Sequence, residues 1–422
     1  MKARPGTPSV ERLFTGIGQL VTPSGPGAKR GAQQADLQVL HDAALGVEGG
    51  RVTWLGPAAE WRGQADDEVD LGGRAVVPGL VDPHTHLVWG GDRYRDLDER
   101  LAGVPYERIL ARGGGIRATV RATNASAQAQ LVRAALARLD DLVASGATTV
   151  EVKSGYGASV QGELALLDAI KGLQALAAVT VVPTLLIHLP DPDERAAHLQ
   201  AVRERLIPEA AARGLTKRLD VFVERSAFSL EEAEELLRAG RAHGLDLTLH
   251  ADQFHALGGV DLALRLGARS VDHLEASGVE QVAALADGDT VATLLPGVSL
   301  ELDLPGAPGR ALVDAGVPVA VASDLNPGSS PVFSTSLALA LSLRVNGLRP
   351  AEALVAGTVN AAAALGIDDV GWLGVGARAD LLVLPERDWR SLVHGLGGPG
   401  PFEVYAAGRR VDRGDRTAEA PA

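Results

Sequence analysis

VVPGLVDPHTHLVWGGDR, from Val76 to Arg93, is the stretch from which the fold is read. A β-branched apolar run ends there at a proline and delivers His84 and His86 one residue apart. Side chains of an extended segment alternate faces with a period of two. Both imidazoles therefore project to one side while Thr85 points away, an arrangement able to grip one metal ion. The plain alternative is two histidines placed in a polar loop by chance, and the rest of the chain has to decide between them.

Outward from this stretch, short β-branched runs alternate with helical stretches rich in alanine and leucine, the pattern of βα units on a parallel sheet. The strand candidates are Ala75 to Val81, Thr148 to Lys153, Val179 to Ile187, Leu219 to Glu224, Leu245 to His250, Ser270 to Leu274, Asp289 to Leu295 and Val317 to Ser323. Eight strands, the total of that series, close a (β/α)8 barrel. Ala127 to Gly146 reads as one of the helices, with apolar residues three and four apart and a glycine stop. The two ends of the chain differ from this middle. Ala44 to Gly56 reads as a hairpin turning at Glu48, Gly49 and Gly50, and Ala377 to Pro385 with Phe402 to Gly414 form a similar unit turning at Gly408. Residues 1–35 are rich in Pro, Gly and Ser and show little periodicity. The expected architecture is α/β: a (β/α)8 barrel over 79–370, plus a small β-sandwich domain assembled from 1–78 and 371–422.

Composition narrows the function. A net charge of -13 in 422 residues and a pI near 5.3 argue against nucleic acid or an anionic membrane as partner, because both need a basic surface. An anionic ligand must then be met by a local cation. With no cysteine, thiolate ligands and disulfides are excluded and any ligation falls to nitrogen and oxygen. Leu325 to Leu343 is uncharged but carries Asn326, Pro327, Gly328 and several hydroxyls, too polar for a membrane span. Lys2 and Arg4 are followed by Pro5, Gly6 and Pro8 where a signal peptide needs an apolar run, so no export signal is read and a cytoplasmic location is expected.

In such barrels chemistry sits at the C-terminal ends of strands. His84 and His86 follow the first strand candidate, His188 the third, His250 ends the fifth, His273 lies near the end of the sixth, and Asp324 follows the eighth. Singly, each reads equally well as a satisfied structural group; jointly, matched positions point to a site. His41, His198, His243, His255 and His394 fall in helices or connections and read as surface residues. His84, His86, His250 and Asp324 offer three imidazoles and a carboxylate, suited to zinc or iron with a position open to water. A metal ion there lowers the pKa of water to about 7, preparing a nucleophile for a carbonyl or amidine carbon. Proton transfer falls to Asp324, through the oxygen not facing the metal, and to His273.

HTH after the first strand, HADQ from His250 to Gln253, DHLE from Asp272 to Glu275 and SDLNPGS from Ser323 to Ser329 resemble the amidohydrolase superfamily. DPHTHLVWGGDR, GGGI from Gly113 to Ile116 and EVKSGYG from Glu151 to Gly157 narrow the resemblance to the imidazolonepropionase family, over nearly the whole chain from the first hairpin to Gly414. The resemblance implies hydrolysis of the ring amide of 4-imidazolone-5-propionate to N-formimidoyl-L-glutamate in histidine degradation, with one zinc or iron ion per chain. It implies His84, His86, His250 and Asp324 as metal ligands and His273 as a catalytic residue. Arg93, Tyr156, His188, Asn326, Gly328 and Ser329 correspond to its substrate contacts. Gln253 stands where some members carry glutamate; an amide cannot act as a base, so it is assigned hydrogen bonding to substrate. LLIHLPDPDE around His188 also departs from the family's small-residue approach to that histidine. Three readings compete: a purine or pyrimidine ring deaminase, a binuclear relative bridged through Lys153, and a catalytically inactive scaffold. A homodimer is left open.

Overall fold

The computed structural model describes residues 9–104 and 106–412, so the readings on Lys2 to Pro8 and on a strand ending at Gly414 lie outside the described residues. In chain order the strands are β1 (Ser9–Pro23), β2 (Leu37–Glu48), β3 (Arg51–Pro57), β4 (Gln64–Pro78), β5 (Leu80–Asp82), β6 (Ala147–Lys153), β7 (Thr180–Ile187) and β8 (Arg218–Val223). They continue with β9 (Asp246–Ala251), β10 (Ser270–His273), β11 (Val291–Leu294), β12 (Val319–Val321), β13 (Leu381–Val383), β14 (Glu403–Ala406) and β15 (Arg409–Arg410).

β5 to β12 form one eight-stranded sheet in chain order, every neighbour parallel. The sheet is drawn closed by the segments that follow its first and last strands. Asp324 N–H donates to His84 O at 3.0 Å, and His86 N–H donates to Leu325 O at 2.9 Å. The seam of the barrel and the residues expected to bind metal are thus one piece of structure.

The surrounding helices pack through apolar stripes. In helix Leu230–Ala242, Ser229 Oγ accepts from Glu232 N–H while the Glu232 carboxylate accepts from Ser229 N–H, a reciprocal cap on the first turn. Its buried residues are Ala233, Leu236, Leu237 and Gly240, the spacing of one helical face, each leucine stabilising by ~1.5–3 kcal/mol. The helix expected over Ala127 to Gly146 spans Gln128–Ala144 and buries Leu131, Ala135, Leu139 and Leu142.

The terminal segments meet in a second, seven-stranded sheet ordered β15-β14-β13-β4-β1-β2-β3. Its β3 edge is bonded to the segment that leads into β13: Val52 N–H donates to Ala377 O at 2.9 Å and Gly376 N–H to Val52 O at 2.8 Å. The sheet so rolled encloses Phe14, Ile17, Leu20, Leu45, Val76 and Leu381 as a core separate from the barrel's. Two expectations need correction. The first 35 residues, read as patternless, contain the 15-residue strand β1 at the centre of this sheet. The first barrel strand, read as Ala75 to Val81, is two strands: Ala75 to Pro78 ends β4 of the terminal sheet, and the barrel begins at Leu80. Gly79 is where the chain changes sheets, and a Cβ there would come within 2.2 Å of Thr148 Oγ1, so only glycine allows the crossing. No helix among the described residues is long and apolar enough to cross a membrane.

Candidate metal centre

β5 stops at Asp82, whose two carboxylate oxygens accept from Ser323 N–H (3.1 Å) and Thr335 Oγ1 (2.9 Å), tying the start of the barrel to its end. The chain then runs extended through His84, Thr85 and His86. Thr85 does point away, donating its hydroxyl to Glu151 O at 2.6 Å. His84 and His86 turn inward, both buried, with ring centroids 5.3 Å apart.

Asp324 Oδ1 lies 3.3 Å from His84 Nε2 and 3.2 Å from His86 Nε2. These three residues place their ligand atoms within 4.8 Å of one another, and His84, His250 and His273 form a second such set. The four expected ligands are thus brought together around His84, and His273, expected as a catalytic group, also stands at ligand distance. Asp324 (φ 49°) and His273 (φ 87°) both occupy the left-handed region, backbone strain of about 1–3 kcal/mol each that aims the strand-end side chains inward.

The donor set fits a transition metal. Buried His84 Nε2, His250 Nε2 and Asp324 Oδ1 have no hydrogen-bond partner among the described residues, which is costly unless a cation satisfies them. Their other sides are tied down. His84 Nδ1 is hydrogen-bonded to Asp272 Oδ2 at 2.7 Å, and His250 Nδ1 lies 2.8 Å from Asp220 Oδ2, which leaves each Nε2 as the nitrogen that would face a metal. Burial and the Lys153 charge disfavour a proton on His84, but the hydrogen bond to Asp272 and the nearby Asp324 carboxylate outweigh them and push its pKa up to about 9. Burial pushes His250 down to about 3 against the pull of Asp220. A cation held there would take the place of a proton between His84 and Asp324.

Sequence reasoning missed the layer beneath. Lys153 is fully buried on β6, with Nζ 2.9 Å from Glu151 Oε1, 2.8 Å from Asp220 Oδ2 and 3.7 Å from Asp272 Oδ2. Burial disfavours its charge, but Asp220, Glu151 and Asp272 outweigh burial and hold its pKa above the usual lysine value. Lys153 is thus an ion-paired ammonium, not a bridge between metals. Glu151 and Lys153 are two apart on one strand, a signal legible in EVK; Asp220 and its partner His250 are thirty residues apart on different strands and carried none.

The expected substrate contacts sort into three groups. Tyr156 and His188 lie against the ligands: the His188 ring centroid is 5.8 Å from His86 and 6.0 Å from His250, and Tyr156 is 5.8 Å from His86. Burial, then His86 and His250, hold the His188 pKa well below its ordinary value. Gln253 is buried just beyond β9. Asn326 is committed internally: Nδ2 donates to Asp324 Oδ2 (3.0 Å) and Ser329 Oγ (3.0 Å), and Oδ1 accepts from Gly328 N–H and Ser329 N–H (2.8 Å each). Its amide is a brace between Asp324 and the 326–329 turn. The carboxylate oxygen expected to be free, Asp324 Oδ2, is the one Asn326 holds, so only its second lone pair remains to accept a proton. Arg93 reaches the site from the other side of that turn and packs on Gly328, where a Cβ would lie 3.0 Å from its Nη1.

Comparisons with known proteins place the sequence and the fold. The family described as "Amidohydrolase family" matches residues 75–396. An imidazolonepropionase of Deinococcus radiodurans is 57% identical over 95% of this chain and 100% of its own length, and one of Chloroflexus aggregans is 43% identical over 93% and 96%. Among solved structures, a zinc-bound adenosine deaminase from Xanthomonas campestris superposes with a TM-score of 0.72 at 18% identity, covering 96% of this chain and 93% of that one. E. coli guanine deaminase gives 0.67 at 16%, covering 95% and 98%. At such identities the two deaminases speak for the fold alone, whereas the long, close matches place the sequence: the chain belongs to the amidohydrolase family and, within it, to the imidazolonepropionases.

Proposed function

We propose that this chain hydrolyses the ring amide of 4-imidazolone-5-propionate, giving N-formimidoyl-L-glutamate in histidine catabolism, with one zinc or iron ion held by His84, His86, His250 and Asp324. The barrel carries the chemistry, with 1–78 and 371–422 as its supporting domain, in a cytoplasmic enzyme acting on a small anionic substrate. A single observation carries the reading: an unbroken line of contacts, Asp324 to Asn326 to Gly328 to Arg93, joins the metal carboxylate to a guanidinium. A ligand with a hydrolysable ring at one end and a carboxylate tail at the other would have one end met by each of these groups.

A bound transition metal supplies Lewis acidity that acidifies water near neutral pH. Asp324 Oδ2, steadied by Asn326, accepts the proton of the attacking water. His273 lies with its ring centroid 5.2 Å from that of His250 and polarises the ring carbonyl or delivers a proton to the departing ring nitrogen. Water adds its oxygen to the carbonyl carbon, the carbon–nitrogen bond breaks, and the nitrogen leaves protonated. Arg93 pairs with the propionate, Tyr156 and His188 wall the ring, and Gln253 hydrogen-bonds it.

The test is a coupled assay in which urocanase makes the unstable imidazolone in place. Loss of imidazolone absorbance with release of formimidoyl-glutamate is expected; ammonia release from a purine or pyrimidine ring, with the imidazolone left intact, would favour a deaminase.

A further inference from the structure

We infer that Asp96 is a positioning residue which, with Gly328, fixes the Arg93 guanidinium so that only its terminal Nη edge meets the ligand. The inference rests on the reading of Arg93 as the carboxylate contact and adds which edge of the guanidinium the carboxylate meets.

Arg93 stands at the N-cap of helix Tyr94–Leu101, and its Nε donates to Asp96 Oδ2 one turn along. The same oxygen accepts from Gly115 N–H at 2.9 Å. Gly114 presses its bare α-carbon toward Asp96, where a Cβ would come within 2.7 Å of Oδ1. The GGGI run singled out in the sequence thereby gains a role: its glycines wrap the carboxylate that holds Arg93. On the opposite side the guanidinium lies over Gly328, where a Cβ would be 3.0, 3.3 and 3.4 Å from Nη1, Cζ and Nη2. Gly328 cannot retreat, because Asn326 Oδ1 holds its N–H and that of Ser329. Thr119 Oγ1 is 3.4 Å from Nη1.

A guanidinium has five N–H donors in one plane, and a carboxylate binds best on two parallel ones. Asp96 occupies the Nε donor. The remaining fork is Nη1 with Nη2, which meets a carboxylate end-on. Asp96 also offsets the charge of a guanidinium that is largely buried.

The probe is imidazole-4-propionate, which has no ring carbonyl to hydrolyse, compared with its neutral amide by titration calorimetry on the metal-loaded protein. Arg93→Met is expected to erase the preference for acid over amide. Asp96→Ala and Gly328→Ala are each expected to weaken the acid about tenfold, the size of one charge-assisted contact, and Asp96→Ala to leave the amide within twofold. Asp96→Asn, which still accepts from Gly115, is expected to fall between wild type and Asp96→Ala. In turnover, Asp96→Ala raises KM with kcat little changed, the signature of lost ground-state and transition-state binding alike. If Arg93→Met keeps the preference, the assignment of Arg93 is wrong. If Arg93→Met erases it while Asp96→Ala and Gly328→Ala both bind the acid within twofold of wild type, this inference alone is overturned.

Discussion

Replacing Lys153 by methionine tests the ionic layer under the metal centre. Methionine keeps most of the stem volume and removes one positive charge from a site where Asp220, Glu151 and Asp272 lie within 2.8, 2.9 and 3.7 Å of Nζ. All four side chains are at most 1% exposed, so water cannot replace the ammonium. Breaking a buried ion pair by deleting one partner costs ~3–5 kcal/mol, mostly the uncompensated charge left behind. A metal ion between His84 and Asp324 offsets part of that negative field, because Asp272 and Asp220 are bonded to the ligand histidines. Chelator-treated Lys153→Met protein is therefore expected to lose ~3–5 kcal/mol, and metal-loaded protein less. Denaturation followed by the fluorescence of the five tryptophans, with and without chelator, measures both. Adding Asp220→Asn should recover part of the loss, since the second change removes one of the stranded carboxylates. A loss below ~1 kcal/mol in the metal-free variant would refute the reasoning, since a surface-like pair contributes only that much.

Three further outcomes follow from the same geometry. A folded His84→Ala, His86→Ala double variant should lose its metal by elemental analysis; full retention would remove both residues from the ligand set. Asp272→Asn, which cannot hold His84 in the same tautomer, should weaken metal affinity roughly 10–100-fold in a chelator competition, and an unchanged affinity would show that His84 needs no such partner. His273→Ala should cost ~10²–10⁴ in kcat, the range of a lost general acid, against about two- to twelvefold for Gln253→Ala; equal losses at equal metal content would exchange their roles.

HTH is legible by itself because strand periodicity is a local property: two residues apart means one face wherever the strand goes. The eight-fold alternation of β-branched and helical runs is local in the same way, and so is the glycine-rich turn between β2 and β3. Chain order therefore determined the barrel, the strand-end placement of His84, His86, His250, His273 and Asp324, and the absence of thiol chemistry. What tertiary structure decided is every feature made by partners distant in sequence. β1 has no pattern of its own because its two sides are defined by β2 and by β4, from the other side of a hairpin. The break at Gly79 is invisible in an apolar run and appears only when Thr148 is brought against it. The hydrogen bonds of the Asn326 amide to Asp324 and Ser329 likewise appear only in the folded turn. Lys153 becomes an ammonium with three carboxylate neighbours only when β6, β8 and β10 turn their side chains into one low-dielectric interior, where an unpaired charge is too costly to persist.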